Sequence, residues 1–417
     1  MKNKILLLPF LAVLLLLSCT NDDSSDKYAD YLVARPLVMS KAELVASVDV
    51  IAPRPIDESG KIYTYKDYIF INDKYEGIHI IDNRNPQQPV KIGFIKIPGN
   101  VDISVKDDYL FADSLADLVV IDISNIENIR LVSRLENVLQ SNIFFPFEAD
   151  IVEGTTYDYE TEVIVGWETT TERRLISEVE NRGDGGIFLN DMAVAESTNG
   201  GTGQGGSLAR FKIVEDYLYA VDSHNINVFN ISDLDNPQAL EDVYAGFDIE
   251  TIFYNGNYLF LGSMRGMYIY DITDPAAPSK VSEFEHGTAC DPVVVDGDYA
   301  YVTLRGGSWC GATESGLFIV DISDIANPEL AVQYPMDEPY GLGIKDEKLF
   351  ICDGASGLKV YDKTDINNLK ELNHFEDIVT FDVIPLESYL IMVGDEILYQ
   401  YEYLDDGIKL ISQIGLN

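Results

Sequence analysis

The stretch GLFIVDISDIANP, residues 316–328, decides how this chain is read. Its apolar half, Leu317 to Val320, is too short for a helix and is bounded by turn residues, so it reads as a strand buried on both faces. In its polar half Asp321, Ser323 and Asp324 can fold side-chain oxygens back onto backbone N–H groups, and Pro328 forbids further strand pairing. Copies stand at 78–89 (IHIIDNRNPQQP), 118–128 (LVVIDISNIEN), 226–237 (INVFNISDLDNP), 267–278 (MYIYDITDPAAP) and 358–368 (LKVYDKTDINN). A motif written six times cannot mark a single pocket. It is scaffold, and function is to be sought where the copies disagree.

Working outward, a second strand precedes each copy, opened by Tyr68, Tyr109, Tyr217, Tyr258, Tyr299, Leu349 and, in a last divergent unit, Tyr389. By subtraction these positions lie 41, 108, 41, 41, 50 and 40 residues apart. A period near 41 with one large and one small insertion suits four short strands and their turns, the content of a propeller blade. A first strand such as 291–295 meets a tight turn (Asp107-Asp108, Asn255-Gly256-Asn257, Asp296-Gly297-Asp298), and a more polar fourth strand follows the motif.

Hydrophobic-Asp-hydrophobic-Ser/Thr-Asp, with Pro a few residues on, resembles the LVIVD-repeat family of bacterial β-propellers over roughly residues 60–417, the insertion excepted. The resemblance implies an all-β fold and no particular reaction. Seven units imply a seven-bladed β-propeller of four-stranded blades in one domain over 42–417; the alternative is eight blades, with the insertion at 139–206 as a degenerate one. The segment 42–51 reads as an outer strand that latches the ring beside the C-terminal IKLISQIGL. ESTNGGTGQGGS, 196–207, reads as a flexible linker. The last unit, ILYQYEYLDDG, lacks Asp-Ile-Ser, so its turn is the least defined.

Seventy acidic against 29 basic residues give a net charge of −41, a surface that repels phosphate backbones and excludes nucleic acid as a partner. At the N-terminus Lys2 and Lys4 precede an apolar run, 5–17, too short to span a bilayer. It ends in LLSC, which resembles the bacterial lipoprotein cleavage box. That implies a signal peptide over 1–18, a lipid on Cys19 and a tether over 19–41. The acidic TNDDSSD that follows is similar to the surface-export signal of Bacteroidota lipoproteins, implying the outer membrane, facing outwards. Outside the cytoplasm disulfides persist, and the three remaining cysteines, an odd number, imply one bridge and one buried thiol.

Both irregularities of the repeat fall on one end of a propeller. The large insertion joins the second unit to the third, and LRGGSWCGATESG, 304–316, lengthens a loop between second and third strands. Cys290 and Cys310 belong to that one unit, and LVIVD-type sequences look paired here; Cys310 with Cys352 is the competing bridge. Ligand-binding candidates at this end are Arg265, His286, Asp291, Arg305, Trp309 and Tyr340, Trp309 being either a stacking platform or an anchor packed on the disulfide. Asp102, Arg210, Glu250 and Asp382 begin first strands and should line the mouth of a water-filled channel, where a structural cation is the one ion to consider. No catalytic residue, cofactor or metal site is assigned. GxSxG, HExxH and phosphate-loop motifs are absent, and His286, Cys290 and Cys310 lack the short CxxC spacing of zinc sites. The reading favours a monomeric cell-envelope binding module for carbohydrate or protein. The alternative is a propeller-type hydrolase or lyase working from the channel mouth.

Overall fold

The computed structural model describes residues 27–56, 59–140, 146, 149–154, 156–176, 179, 195–196, 204–285, 292–306 and 315–417. It is all-β, and it divides into two compact units.

The larger unit is built of antiparallel sheets that follow one another along the chain. The first has Ser59–Tyr65, Tyr68–Asp73, Gly77–Asp82 and Val90–Lys96 as its consecutive strands. The second has Ile103–Lys106, Tyr109–Ser114, Asp117–Asp122 and Arg130–Leu135. The third, after the insertion, has Phe211–Val214, Tyr217–Val221, Asn225–Asn230 and a divided outer edge, Gln238–Ala239 and Val243–Tyr244. The fourth has Thr251–Asn255, Tyr258–Ser263, Gly266–Asp271 and Ser279–Glu285; the fifth Val293–Asp296, Tyr299–Leu304, Gly316–Asp321 and Glu329–Pro335. The sixth has Leu342–Lys345, Lys348–Cys352, Leu358–Asp362 and Lys370–Phe375, and the seventh Thr380–Pro385, Tyr389–Gly394, Ile397–Leu404 and Gly407–Gly415. The aromatic residues that set the repeat period open the second strands; in the sixth sheet Leu349 is one residue in.

Local chemistry explains the regularity. The two-residue turns between first and second strands begin at Lys66, Asp107, Glu215, Gly256, Gly297 and Asp346, all at φ between 48° and 63°, as a tight antiparallel turn demands. The aspartate of the repeated motif then ends the third strand. Its Oδ1 accepts the N–H two residues on: Arg84 from Asp82, Ser124 from Asp122, Thr273 from Asp271, Ser323 from Asp321 and Thr364 from Asp362, at 2.6–3.0 Å. Asn230 does the same for Ser232 at 2.9 Å. The residue after the aspartate donates back to the first turn, as Ile123 to Asp108, Ile272 to Asn257 and Ile322 to Asp298 show at 2.9 Å. A bulge offsets the outer strand in six of these sheets, between Ile319 and Val320 in the fifth for example, which twists the exposed edge.

The core lies between sheets. Ile78, Ile80 and Ile95 of the first pack with Val105, Ala112 and Val119 of the second. The pattern repeats down the chain, until Ile391, Val393 and Leu398 of the seventh meet Ile62, Ile69 and Ile71 of the first. A polar clasp crosses that seam: Asn83 Nδ2 donates to Gln400 Oε1 at 3.0 Å and Gln400 Nε2 to Asn83 Oδ1 at 2.8 Å.

Several expectations are corrected. Residues 42–51 form no latch beside the C-terminus. Lys41–Ala46 is a helix, closed by a capping box in which Ser40 Oγ accepts Glu43 N–H and Glu43 accepts Ser40 N–H. Asp49–Ile51 pairs instead with Val90–Lys96, at the outer edge of the first sheet. Within the expected tether, Tyr28–Ser40 is a strand, and with Ile151–Val152 and Glu162–Leu175 of the insertion it makes a three-stranded sheet. The end of the expected linker is no linker. Gln204–Gly205 pairs with Thr64 and Tyr63 on the innermost strand of the first sheet. Gly206 is required for close approach rather than for flexibility, since a Cβ there would lie 1.8 Å from Asp382 Oδ2. The last unit turns through Asp405 and Asp406, with Gly407 at φ 154°.

In the smaller unit, Val33 and Ala34 pair in parallel with Ile151 and Val152. Arg35 and Arg174 each bridge Glu153 and Glu172 at 2.6–2.7 Å. Hydrogen bonds from these arginines hold both carboxylates at about 2.

Candidate functional site

Four candidates begin innermost strands, as their position in the repeat implies, but their surroundings differ from expectation. Asp102, Arg210, Glu250 and Asp382 are 1–3% exposed, so they are buried rather than solvated at a mouth. The cause is the segment from Gln204 to Arg210, which runs across the starts of these strands. Ser207 N donates to Asp382 Oδ1 at 3.1 Å, Leu342 N to Ser207 Oγ at 2.7 Å, and Ile252 N to Ala209 O at 3.3 Å. Asp102 accepts Lys61 Nζ and the Arg210 backbone N–H, and Arg210 Nε donates to Val221 O at 3.1 Å. Burial raises the Asp113 carboxyl, which accepts the N–H groups of Val101 and Asp102. Burial pushes Asp382 up to about 7; Val383 and Ser207 N–H groups bond its Oδ1, while its Oδ2 has no hydrogen-bond partner among the described residues. Asp102, Arg210 and Asp382 thus tie neighbouring strands together.

Three candidates at the loop-bearing end are described. Arg305 lies over the Tyr340 ring, 4.1 Å from its centroid, and Tyr340 packs edge-on against Phe381 at 5.3 Å and donates to Glu338 Oε1 at 3.1 Å. Tyr340 is therefore anchored. Arg265 belongs elsewhere, with Asp248 (3.3 Å) and over Phe247 (5.3 Å). His286, Asp291, Trp309 and the cysteines Cys290, Cys310 and Cys19 lie outside the described residues. Cys352 is a buried free thiol whose ionisation burial pushes up.

The aromatic cluster around Arg265 was not anticipated. Phe247 is 51% and Tyr244 59% exposed, their rings nearly perpendicular at 85° with centroids 6.0 Å apart. The exposed His224 meets Phe247 at 5.5 Å. The carrier loop is fixed from below. Ala245 and Gly246 N–H groups donate to His224 O, Ile249 N to Ser223 O at 3.1 Å, Met264 N to Asp248 O at 3.1 Å, and Tyr270 Oη to Ala245 O at 3.1 Å. Gly246 sits at φ 148° against the Tyr268 ring, where a Cβ would meet carbon at 2.9 Å. The signal was present as an aromatic–Gly–aromatic run, YAGF, after a shortened outer strand. Along the innermost strands a cavity of about 130 Å³ is lined by Phe253, Val295, Ile344, Val383 and Pro385 beside Gln204 to Ser207.

Sheets built on four consecutive antiparallel strands and packed in series define a propeller-like all-β repeat protein. Its units include LVIVD repeats, the family's model matching residues 99–136, 250–285 and 286–335. No curated protein matches the sequence. Among solved structures, the computationally designed protein Ika8 is similar at TM-score 0.51 and 11% identity, over 88% of this chain and 90% of that one. A protein from Lactobacillus plantarum is similar at TM-score 0.50 and 13% identity, over 79% and 86%. Hsv2 from Kluyveromyces lactis aligns at TM-score 0.49 and 12% identity, over 86% and 100%. At such identities likeness speaks for the fold alone.

Proposed function

We propose that this chain is a seven-bladed propeller, lipid-anchored at Cys19 on the outer membrane, that acts as a non-catalytic binding module through its loop-bearing end. The blade number is supported by the seven consecutive sheets and by the packing of the last on the first. One observation carries the binding reading. Phe247 and Tyr244 are held half-exposed on a loop whose backbone is fixed by hydrogen bonds from both sides. Exposing large rings on ordered backbone costs free energy, and a pre-ordered aromatic surface is what a recognition site needs. The enzyme alternative needs acids within reach of substrate, and Asp102, Glu250 and Asp382 are buried. Arrays of glycans and envelope proteins, probed with the intact chain and with Phe247→Ala, test the reading. Binding by the wild type that the variant loses supports it; an array with no ligand, or a ligand indifferent to both Phe247 and Arg305, sinks it.

The anchor rests on LLSC and the acidic stretch behind it. Mass spectrometry of the mature N-terminus should find an acylated Cys19, and an uncleaved start would remove the anchor from the proposal. A Cys290–Cys310 bridge would pin the long loop of the fifth sheet. Non-reducing peptide mapping should recover that linked pair, and free thiols at both positions would refute it.

A further inference from the structure

We infer that Tyr244, Phe247, His224, Arg265 and Asp248 form a recognition site for an uncharged saccharide. This rests on the reading of the chain as a binding module and names the ligand class of that module.

Size speaks first. The two exposed rings, with centroids 6.0 Å apart, are bracketed by Glu241 and Asp242 before Tyr244 and by Asp248 and Arg265 beyond Phe247. The apolar part is thus about as wide as one sugar ring, far short of the 20–30 residues that a stable protein interface engages on each side. Shape speaks next. Perpendicular rings make a corner, and the C–H face of a pyranose is apolar while its rim carries hydroxyls, so a ring wall and polar neighbours suit it together. The polar neighbours are in place. Arg265 commits Nε to Asp248 Oδ2 at 3.3 Å, and its side chain is 63% exposed, which leaves guanidinium donors for ligand hydroxyls. The Asp248 side chain is 34% exposed and accepts; the exposed His224 ring can do either. Charge excludes the competitors: a chain at −41 repels sulfated and uronic-acid polymers. Preorganisation lowers the cost of binding, because Ala245 and Ile249, both buried, hold the loop from beneath.

The experiment uses the full chain against two arrays. One holds neutral oligosaccharides containing glucose, mannose, galactose or N-acetylglucosamine, with sulfated counterparts; the other holds peptides of neutral and cationic composition. The expected result is retention on at least one neutral oligosaccharide and none on its sulfated counterpart. Affinity should fall about tenfold or more in Phe247→Ala and in Tyr244→Ala, and less in Arg265→Ala. All three residues are exposed, so the variants should keep the wild-type thermal midpoint, and Lys409→Ala, on the exposed outer strand of the seventh sheet, serves as a control without effect. Retention of peptides alone, with the same dependence on Phe247, would overturn the saccharide and leave the binding module standing. Retention on neither array would overturn both. Saccharide binding indifferent to Phe247 and Tyr244 would overturn the site.

Discussion

Asp382 shows how far a single residue can be read from sequence. Its place at the start of an innermost strand followed from the repeat. Its surroundings did not, because composition marked 196–207 as linker, whereas Gly206 packs against the carboxyl and seals it from water. Burial then raises the carboxyl from 3.8 to about 7. A raised acid binds its proton more tightly in the folded chain than in the unfolded one. The stability it contributes is therefore full below pH 4 and is lost as pH rises towards and through 7. Asp382→Asn holds the group neutral at every pH. Relative to wild type, the variant should gain stability between pH 5 and pH 8, by at most roughly 3 kcal/mol, because about two of the three units of displacement fall in that window. Urea unfolding at the two pH values reads the change. A difference between the proteins that does not vary with pH would show that the carboxyl titrates normally.

At the scale of the element, the repeated motif was legible because its chemistry is local. An aspartate whose Oδ1 caps the N–H two residues on needs no partner from elsewhere, so strand, turn and strand follow from a dozen residues. The helix Lys41–Ala46 was equally local: Ser40 and Glu43 spell a capping box, and the strand-like look of 42–51 hid it. Tyr244 and Phe247 were harder, since their significance lies in Gly246 and in bonds that their loop donates to the carbonyls of His224 and Ser223 in another loop. The hydroxyl and N–H groups of Ser323 lower the Asp321 carboxyl, and those of Thr364 lower Asp362. The sign is opposite to that of Asp382: a depressed acid stabilises above its unfolded value and loses the contribution as pH falls through its folded one. Asp321→Ala should lower the thermal midpoint at pH 7 by a few degrees at most, and by less below pH 3.5. Asp321→Asn should lower it less than Ala does at pH 7, because an amide oxygen can accept the same N–H, as Asn230 does naturally. Equal losses in both variants would mean that charge, not the turn bond, holds the motif.

For the whole molecule, the succession of four-stranded sheets was legible and the contact of the last with the first was not. Periodicity reports what each unit shares with the next, whereas closure depends on what the first and last units do not share with the rest. The residue after the motif's aspartate or asparagine is a buried isoleucine at Ile123, Ile231, Ile272 and Ile322 and a buried lysine at Lys363, but the first unit has Asn83 there. Asn83 exchanges two hydrogen bonds with Gln400 across 317 positions of sequence and donates a third to Tyr389 Oη at 2.9 Å. Lys91 and Ile56 add donors to the Leu416 carbonyl at 2.8 and 3.0 Å on the same seam. A buried polar pair of this kind fixes register, since any slip leaves amides unsatisfied. Gln400→Leu should cost roughly 1–3 kcal/mol, as Asn83 loses partners that no water replaces, and Asn83→Leu should cost a similar amount. The double variant should cost clearly less than the two together, because replacing both amides removes the orphan that each single change creates. Urea unfolding of the four proteins completes the cycle. If the single losses simply add, the two side chains are not coupled, and the apolar packing of Ile391 and Leu398 on Ile62 and Ile69 closes the seam without them.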